Sequence, residues 1–432
     1  MNRRVRTRLA VVTVHTLAVT AIGAWLPAQA RAGTLDVATT GSDANAGTAA
    51  APLRTVQAAI DRATPGTTIR IHAGTYKQQL RISRSGIAGA PITVTNAGDG
   101  PVTLTSDQVP DSCDAHQPSP RRTLRITAGA DYWTFKGLNI VHGAYINGKG
   151  AGAAFTFHAN NVKSGNWQAR RAVPGASTND PVAARNAAAY LAKVTGTAMD
   201  PSEHIEFIGN RITSRGIYAT LANYGVLKDN TISDIICGSG PGVWVMTFSN
   251  FWEISGNDVS RIAPSGLRHY MQEGIRVDSG AGYAHVYGNY VHDLSGDGRA
   301  FNTDEDASFN IYENNRAANV AIAYNDQMAG WGNTWRNNVA TGYRQYCFGF
   351  RLKDASMALP SPNSSTNMAS VSGNTCSAPA TTGAKGVGIG AISKSTFSGN
   401  TFPGVMLGKY VAGYWAKYGN MWNGSSVPPS SR

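Results

Sequence analysis

The sequence predicts an all-β protein built as a parallel β-helix, a solenoid in which short strands stack coil upon coil. Two observations support this prediction: a repeat centred on asparagine, and a composition rich in glycine and poor in charge. The 432 residues include 48 glycines, and only 15% of the residues are Asp, Glu, Lys or Arg. That charged fraction is too low for a coiled coil or an acidic disordered chain.

The repeat has the form apolar-x-apolar-x-x-Asn-x-apolar and recurs beyond residue 200. Its β-branched and aromatic runs are typical of strands, and the Gly, Asn and Asp between them are typical of turns. Each unit holds two or three strands, fewer than a propeller blade needs, so we predict coils stacked about 4.8 Å apart. We interpret the asparagines as turn residues that hydrogen-bond the next coil. They are Asn210, Asn230, Asn257, Asn289, Asn315, Asn338, Asn374 and Asn400, with Asn139 in an earlier fragment.

Residues 1–30 have the organisation of a secretory signal peptide. Four arginines precede an apolar stretch from Leu9 to Leu26, and Ala28-Gln29-Ala30 is a cleavage pattern. An uncleaved anchor is the alternative. Because no other apolar stretch is long enough to span a membrane, we expect a secreted, extracellular protein without a membrane span. The mature part is then a single domain over residues 31–432.

Three segments of this domain differ from the repeat. Arg54–Ala63 is predicted to be an amphipathic helix, which would cap the open end of the solenoid. Residues 147–203 are rich in Gly, Asn and Ala, and we expect an inserted loop and helical segment. This insertion forms either a groove wall or a plain surface loop. Residues 410–432 are expected to be a C-terminal tail.

The four cysteines are plausible disulfide partners in an exported protein. Three pairings are possible for Cys113, Cys237, Cys347 and Cys376. Cys347 and Cys376 lie roughly one coil apart, so we expect them to pair and to leave Cys113 with Cys237.

Aligning the second strand of each coil places charged residues together on one outward face. The apolar residues used for this alignment are Ile217, Val243, Ile275, Phe301, Val320, Phe348 and Val387. Because alternate strand residues face opposite ways, the polar residues between apolar ones point outward. Central coils then present Arg276, Asp278, Asn302, Asp304 and Asp306, with Arg351 and Lys353 two coils further on. A solvated, salt-bridged face is the alternative, and a slip of one residue would invert every assignment.

Asp278 and Asp304 are expected on adjacent coils, where their carboxylates repel each other. A proton, an arginine or a metal ion must compensate this repulsion. Oxygen-rich acidic clusters suit Ca²⁺, so Asp278, Asp304 and Asp306 are the candidate metal ligands and Ca²⁺ is the candidate cofactor.

Two aromatic residues precede this cluster on the same face. Tyr218 and Trp244 would form a stacking platform for sugar rings, although packing beneath the insertion is equally compatible. Further candidate substrate-binding residues are Asn302 and, on the loop entering the next strand, His269 and Glu273.

The N-terminal segment resembles a known family. Asp36–Thr48, Ala51–Ile60 and Gly66–Tyr76, with a loop containing Gly41 and Asp43, are similar to the opening segment of secreted right-handed parallel β-helix proteins. These proteins form the pectate-lyase-like superfamily, and polysaccharide lyase families six and nine often open in this way. The resemblance implies a first strand, a loop, a capping helix and the first coil of a right-handed β-helix.

Three functional hypotheses follow from the outward cluster. The first is a polysaccharide lyase acting on an acidic, uronate-containing glycan by β-elimination. The cluster resembles polysaccharide lyases of this fold, which pair acidic Ca²⁺ ligands with a Lys or Arg. Lys353, Arg351 or Arg276 would then be the base or charge neutraliser. The second is a glycoside hydrolase that uses Asp278 and Asp304 as its acid and its nucleophile or base. The third is a non-catalytic glycan-binding or cell-surface β-helix.

The net charge of +12 does not indicate nucleic acid as a partner. The basic residues are spread over the coils rather than gathered in one run. A mildly basic surface with a local acidic pocket fits a polyanionic glycan. We expect an acidic polysaccharide as the partner and a monomeric protein.

Overall fold

The computed structural model describes residues 33–108, 122–148, 199–236, 240–263, 271–304, 307–327, 332–350, 368–390 and 392–430. Ala32–Arg432 form one compact unit. Within the described residues, no helix is both long enough and apolar enough to cross a membrane.

The chain winds through three long parallel sheets, which confirms the predicted parallel β-helix. Each central coil contributes one strand to sheet A, then one to sheet C, then one to sheet B. The strands of sheet A are β1 Thr34–Val37, β2 Thr68–Ile71, β5 Ile92–Asn96, β8 Trp133–Lys136, β12 Ile205–Ile208, β16 Val226–Lys228, β19 Glu253–Ser255, β22 His285–Tyr287, β25 Ile311–Glu313, β28 Thr334–Arg336, β31 Ser370–Ser372, β34 Thr396–Ser398 and β36 Met421–Trp422.

Sheet B is the sheet on which the predicted site lies. Its strands are β4 Leu80–Ile82, β7 Leu124–Ile126, β10 Ala144–Asn147, β14 Ile217–Thr220, β18 Val243–Met246, β21 Glu273–Val277, β24 Arg299–Thr303, β27 Ile322–Asp326, β30 Tyr346–Phe350, β33 Lys385–Ile389 and β35 Val405–Leu407.

The remaining strands of the described residues form sheet C and a small two-stranded sheet. Sheet C contains β3 Gly74–Lys77, β6 Val102–Thr105, β9 Asn139–Val141, β13 Arg211–Ser214, β17 Thr231–Ile235, β20 Asp258–Ile262, β23 Tyr290–His292, β26 Arg316–Ala318, β29 Val339–Thr341 and β32 Thr375–Ser377. The small sheet pairs β11 Ser202–Glu203 with β15 Ala222–Asn223, at the end of the predicted insertion. Residues 149–198 of that insertion lie outside the described residues.

The interior of the solenoid is apolar because alternate strand residues point inward. On sheet B the inward residues Ile217, Val243 and Ile275 are at most 1% exposed and occupy equivalent positions on adjacent strands. Further along, the rings of Phe301, Tyr324 and Phe348 stack with centroids 5.2 and 4.6 Å apart. Burying one such side chain contributes about 1.5–3 kcal/mol.

The repeated asparagines form a buried ladder, as predicted. The side-chain amide of Asn257 donates to the backbone carbonyl of Leu227 at 2.8 Å and to the side-chain oxygen of Asn289 at 2.9 Å. The same pattern connects successive members from Asn210 to Asn400. The inclusion of Asn139 was wrong, because the neighbouring Leu138 occupies that turn position and its backbone N–H donates to Asn210.

Two short helices lie near the two ends of the chain that the structure describes. Helix α1, Val56–Arg62, confirms the predicted cap: the Thr55 hydroxyl accepts a hydrogen bond from the backbone N–H of Ala58, and Ile60 is buried. Helix α2, Lys409–Tyr414, and strand β36 fall in the predicted tail. Strand β36 pairs with β34, so this segment continues the solenoid.

A disulfide joins Cys347 in β30 to Cys376 in β32, as predicted, with Cα atoms 6.0 Å apart. Both cysteines are buried. Cys113 and Cys237 lie outside the described residues.

One coil aligns differently from the prediction. Tyr324, rather than Val320, pairs with Phe301 and with Phe348. Both candidate residues are apolar and fully buried, so an apolar pattern could not distinguish them. Because side chains alternate between the two faces of a strand, a shift of four residues leaves outward residues facing outward. The shift changes their neighbours, however, and brings Asn325 beside Asn302.

Candidate active site

The central outward row of sheet B brings the predicted residues onto neighbouring strands. In successive strands the Cα partners are Tyr218, Trp244, Arg276, Asn302 and Asn325. Parallel strands lie about 4.8 Å apart, so side chains of this row that face outward are in contact range.

Arg276 is at the centre of the site and is ion-paired to three carboxylates. Its guanidinium donates to Asp278 at 2.6 Å, to Glu273 at 2.7 Å and to Asp304 at 3.0 Å. All four residues are at most 4% exposed. A cation therefore holds carboxylates of two adjacent coils together.

Further polar side chains form hydrogen bonds around this ion group. Glu273 also accepts hydrogen bonds from Arg299 and Asn302, each at 3.1 Å. Gln327 accepts from Arg299 at 3.0 Å and from Asn325 at 3.1 Å. We call this set the Arg276 cluster; it consists of Glu273, Arg276, Asp278, Arg299, Asn302, Asp304, Asn325 and Gln327.

Two acids of the cluster, Glu273 and Asp278, have pKa values shifted in opposite directions. Burial opposes ionisation of Glu273, but the cations Arg276 and Arg299 outweigh burial and hold its pKa below the ordinary value. Burial raises the pKa of Asp278, which Arg276 offsets only in part. Burial would lower the pKa of Arg276, yet its carboxylate partners raise that pKa well above the ordinary value. Arg276 is therefore a permanent cation.

The two predicted aromatic residues differ in exposure. Trp244 is partly exposed, and its ring centroid lies 5.8 Å from the Arg276 guanidinium carbon. Tyr218 is 2% exposed. It meets Trp244 edge to face at 5.0 Å and has the Arg122 guanidinium 4.3 Å from its ring centroid. Trp244 is thus the aromatic residue that borders the cluster with some exposed surface.

Residues 35–189 match the family model described as Pel9A-like, right handed beta helix region. This match agrees with the three parallel sheets. This part of the chain is similar to a pectate-lyase-like right-handed β-helix. The matched residues end before the Arg276 cluster begins, so the composition of the cluster is a separate observation.

Parts of this chain are also similar to a relative and to two solved structures. Pectate lyase PEL9 of Emericella nidulans is 34% identical over 110 residues, which cover 24% of this chain and 27% of that protein. The match thus spans about a quarter of the relative. The crystal structure of pectate lyase Pel9A has 14% identity and a TM-score of 0.47, covering 81% of this chain and 78% of that chain. The crystal structure of the GH136 lacto-N-biosidase from Eubacterium ramulus has 13% identity and a TM-score of 0.47, and the match covers 87% of this chain and 68% of that chain.

Four predicted residues of the site lie outside the described residues: Lys353, Arg351, His269 and Asp306. Their roles remain predictions.

Among the described residues, no group of three or more His, Cys, Asp or Glu is arranged to hold a metal ion. The carboxylates of Asp278 and Asp304 instead share the Arg276 guanidinium. Ca²⁺ therefore remains a prediction.

Arg299, Asn325 and Gln327 were not predicted as residues of the site. Aligning its coil on Val320 shifts Asn325 by four residues, which is two outward rows away from Asn302. Aligning that coil on Tyr324 would have placed Asn325 beside Asn302 and Gln327 beside Asp304. Glu273 was predicted to lie on a loop, but it is the first residue of β21.

Proposed function

We propose that the protein cleaves an acidic, uronate-containing polysaccharide by β-elimination and that the Arg276 cluster is its active site. The main supporting observation is the burial of Arg276 with Glu273, Asp278 and Asp304 in the middle of an outward sheet face. Burying charged groups costs free energy even when they are paired, and such groups are concentrated at functional sites. The pectate-lyase-like β-helix and its relative PEL9 support the reaction class.

In this reaction a base removes the proton next to the uronate carboxylate. The electron pair left on the carbon that carries the carboxylate forms a double bond to the neighbouring carbon and expels the glycosidic oxygen, which takes up a proton. One product therefore carries an unsaturated uronate, and the other carries a new hydroxyl group. Arg276 cannot be the base while its pKa is raised by three carboxylates, so we assign it to positioning Asp278, Asp304 and Glu273. Lys353 or Arg351 is the proposed base, which requires a lowered pKa.

A glycoside hydrolase is the second candidate function. The specific observation favouring it is the opposite direction of two pKa shifts, raised for Asp278 and lowered for Glu273. A raised pKa on one carboxyl group beside a lowered pKa on another is the direction of difference that acid–base hydrolysis uses.

Product analysis distinguishes these functions. The protein is incubated with pectate, alginate, chondroitin and neutral glycans, each with added Ca²⁺ and with a chelator. Ultraviolet absorbance of unsaturated uronate is expected for a lyase, whereas new reducing ends without that absorbance indicate a hydrolase. No product from any glycan would contradict both functions and support a binding protein.

Substitutions test the site independently of the substrate. Asp278→Asn and Asp304→Asn are each expected to lower turnover by about 100-fold or more, the range for loss of acid–base or electrostatic groups. Glu313→Gln is the matched control, because Glu313 is ion-paired to Arg336 on the outward face of sheet A. Unchanged turnover in both aspartate variants would contradict the site assignment.

A further inference from the structure

Two arginines lie side by side on the N-terminal strands of sheet B. Arg81 in β4 and Arg125 in β7 are Cα partners. Their strand neighbours, Leu80 and Ile82 in β4 and the equivalent residues of β7, are buried, so both arginines face outward. Arg81 is exposed and Arg125 is partly exposed.

Neither guanidinium forms an ion pair with a carboxylate of the described residues. Other outward arginines of the strands do so, for example Arg70 with Asp36 and Arg336 with Glu313. Like charges directly opposite on neighbouring strands are unfavourable. Burial lowers the pKa of Arg125, and the charge of Arg81 lowers it further. The pair therefore has a positive charge that an anion would compensate.

The pair lies on the same outward row as the Arg276 cluster. From Arg125 the row continues through Tyr145, Tyr218 and Trp244 to Arg276. Arg125 and Arg276 are separated by four strand spacings of about 4.8 Å, or about 19 Å. Tyr218 on this row is 2% exposed, so a chain-like ligand that reaches both places passes above this residue rather than against it.

We propose that Arg81 and Arg125 form a distal binding site for the carboxylates of a polyuronate chain that extends from the Arg276 cluster. The substrate class in this inference rests on the proposed function. The guanidinium group suits the role because its planar fork donates two parallel hydrogen bonds to a carboxylate. A second contact on the same chain raises the affinity for long chains over short ones by effective concentration.

Equilibrium binding of short and long oligogalacturonate and oligoalginate fractions tests this site. Asp278→Asn is the common background, so that the chains are not consumed. Adding Arg81→Gln and Arg125→Gln is expected to weaken binding of long fractions by roughly tenfold or more for each arginine removed. Binding of short fractions is expected to change little, because they occupy the cluster alone.

Arg84→Gln is the matched control. Arg84 is exposed on the same coil but follows β4 and is not part of the outward row. The control should bind long fractions like the background protein. The distal site would be overturned if the Arg81/Arg125 variant bound long fractions as tightly as the background protein does. It would also be overturned if the background protein did not prefer long anionic chains to short ones. Chain-length-dependent binding without any cleavage product in the wild-type assay would instead contradict only the proposed function.

Discussion

A single residue, Arg276, compensates the repulsion between carboxylates on adjacent coils. Asp278 and Asp304 lie on adjacent coils, and the sequence left open whether a proton, an arginine or a metal ion compensates them. In the structure the guanidinium of Arg276 contacts both. Removing one partner of a buried ion pair typically costs about 3–5 kcal/mol, since it leaves the other charges uncompensated.

The stability contribution of Glu273 should depend on pH. Its pKa is lower in the folded protein than the ordinary glutamate value, because Arg276 and Arg299 outweigh its burial. Its ionised form thus stabilises the fold above the ordinary value, and this contribution disappears as pH falls through the lowered pKa. We expect Glu273→Gln to lower the free energy of unfolding by about 3–5 kcal/mol near neutral pH, and the difference from wild type to shrink in acid.

Chemical denaturation at a series of pH values measures this difference. Glu206→Gln is the matched control, because Glu206 is a partly exposed glutamate on the outward face of sheet A that accepts a hydrogen bond from Thr134. The control should change stability little at every pH. A difference for Glu273→Gln that is the same in acid and at neutral pH would rule out the proposed ion-pair contribution.

At the scale of elements, the asparagine ladder fastens each turn to the next coil. One side chain satisfies the turn of its own coil and of both neighbours, as Asn289 does with Asn257, Asn315 and the carbonyl of Ile254. The ladder was predictable because asparagine recurs within a local pattern. Asn139 was misassigned because ladder membership depends on position: each ladder asparagine lies two residues after the end of its sheet A strand, and Leu138 holds that position after β8.

Removing one ladder side chain should destabilise the solenoid strongly. Asn289→Ala leaves several buried backbone and amide groups without partners, each at about 1–3 kcal/mol. We expect a total loss of about 2–5 kcal/mol in the free energy of unfolding, measured by denaturant titration. Asn139→Ala is the matched control at a partly exposed asparagine outside the ladder, and a loss there equal to that of Asn289→Ala would contradict the role of the ladder.

At the scale of the whole molecule, each coil contacts chiefly the coils before and after it. The stability of such a solenoid is approximately the sum of the stabilities of its coils and of the contacts between adjacent coils. The first and last coils therefore need a capping segment over their exposed apolar interior. Helix α1 covers the N-terminal end with Val56, Ala59 and Ile60 buried against the first strands.

Opening this end should loosen the nearby coils before the distant ones. Ile60→Asp places a charge in the buried face of α1, which costs free energy unless the helix moves away. We expect faster amide hydrogen exchange in β1, β2 and β5 and little change in β28, β31 and β34 of the same sheet, measured by mass spectrometry. Asp61→Asn, an exposed change in the same helix, is the control. Equal acceleration along the whole of sheet A would show that the coils do not open locally.

The sequence by itself determined the solenoid, the capping helix, the asparagine ladder and which strand residues face outward. These features depend on local patterns, namely a side-chain period of two and a recurring turn residue. Only the tertiary structure decided that the Arg276 guanidinium contacts the carboxylates of Asp278 and Asp304. It also decided that Asn325 lies beside Asn302, and Arg81 beside Arg125. The physical reason is that coil lengths vary, so the register between coils depends on how turns pack, and not on the pattern within any one coil.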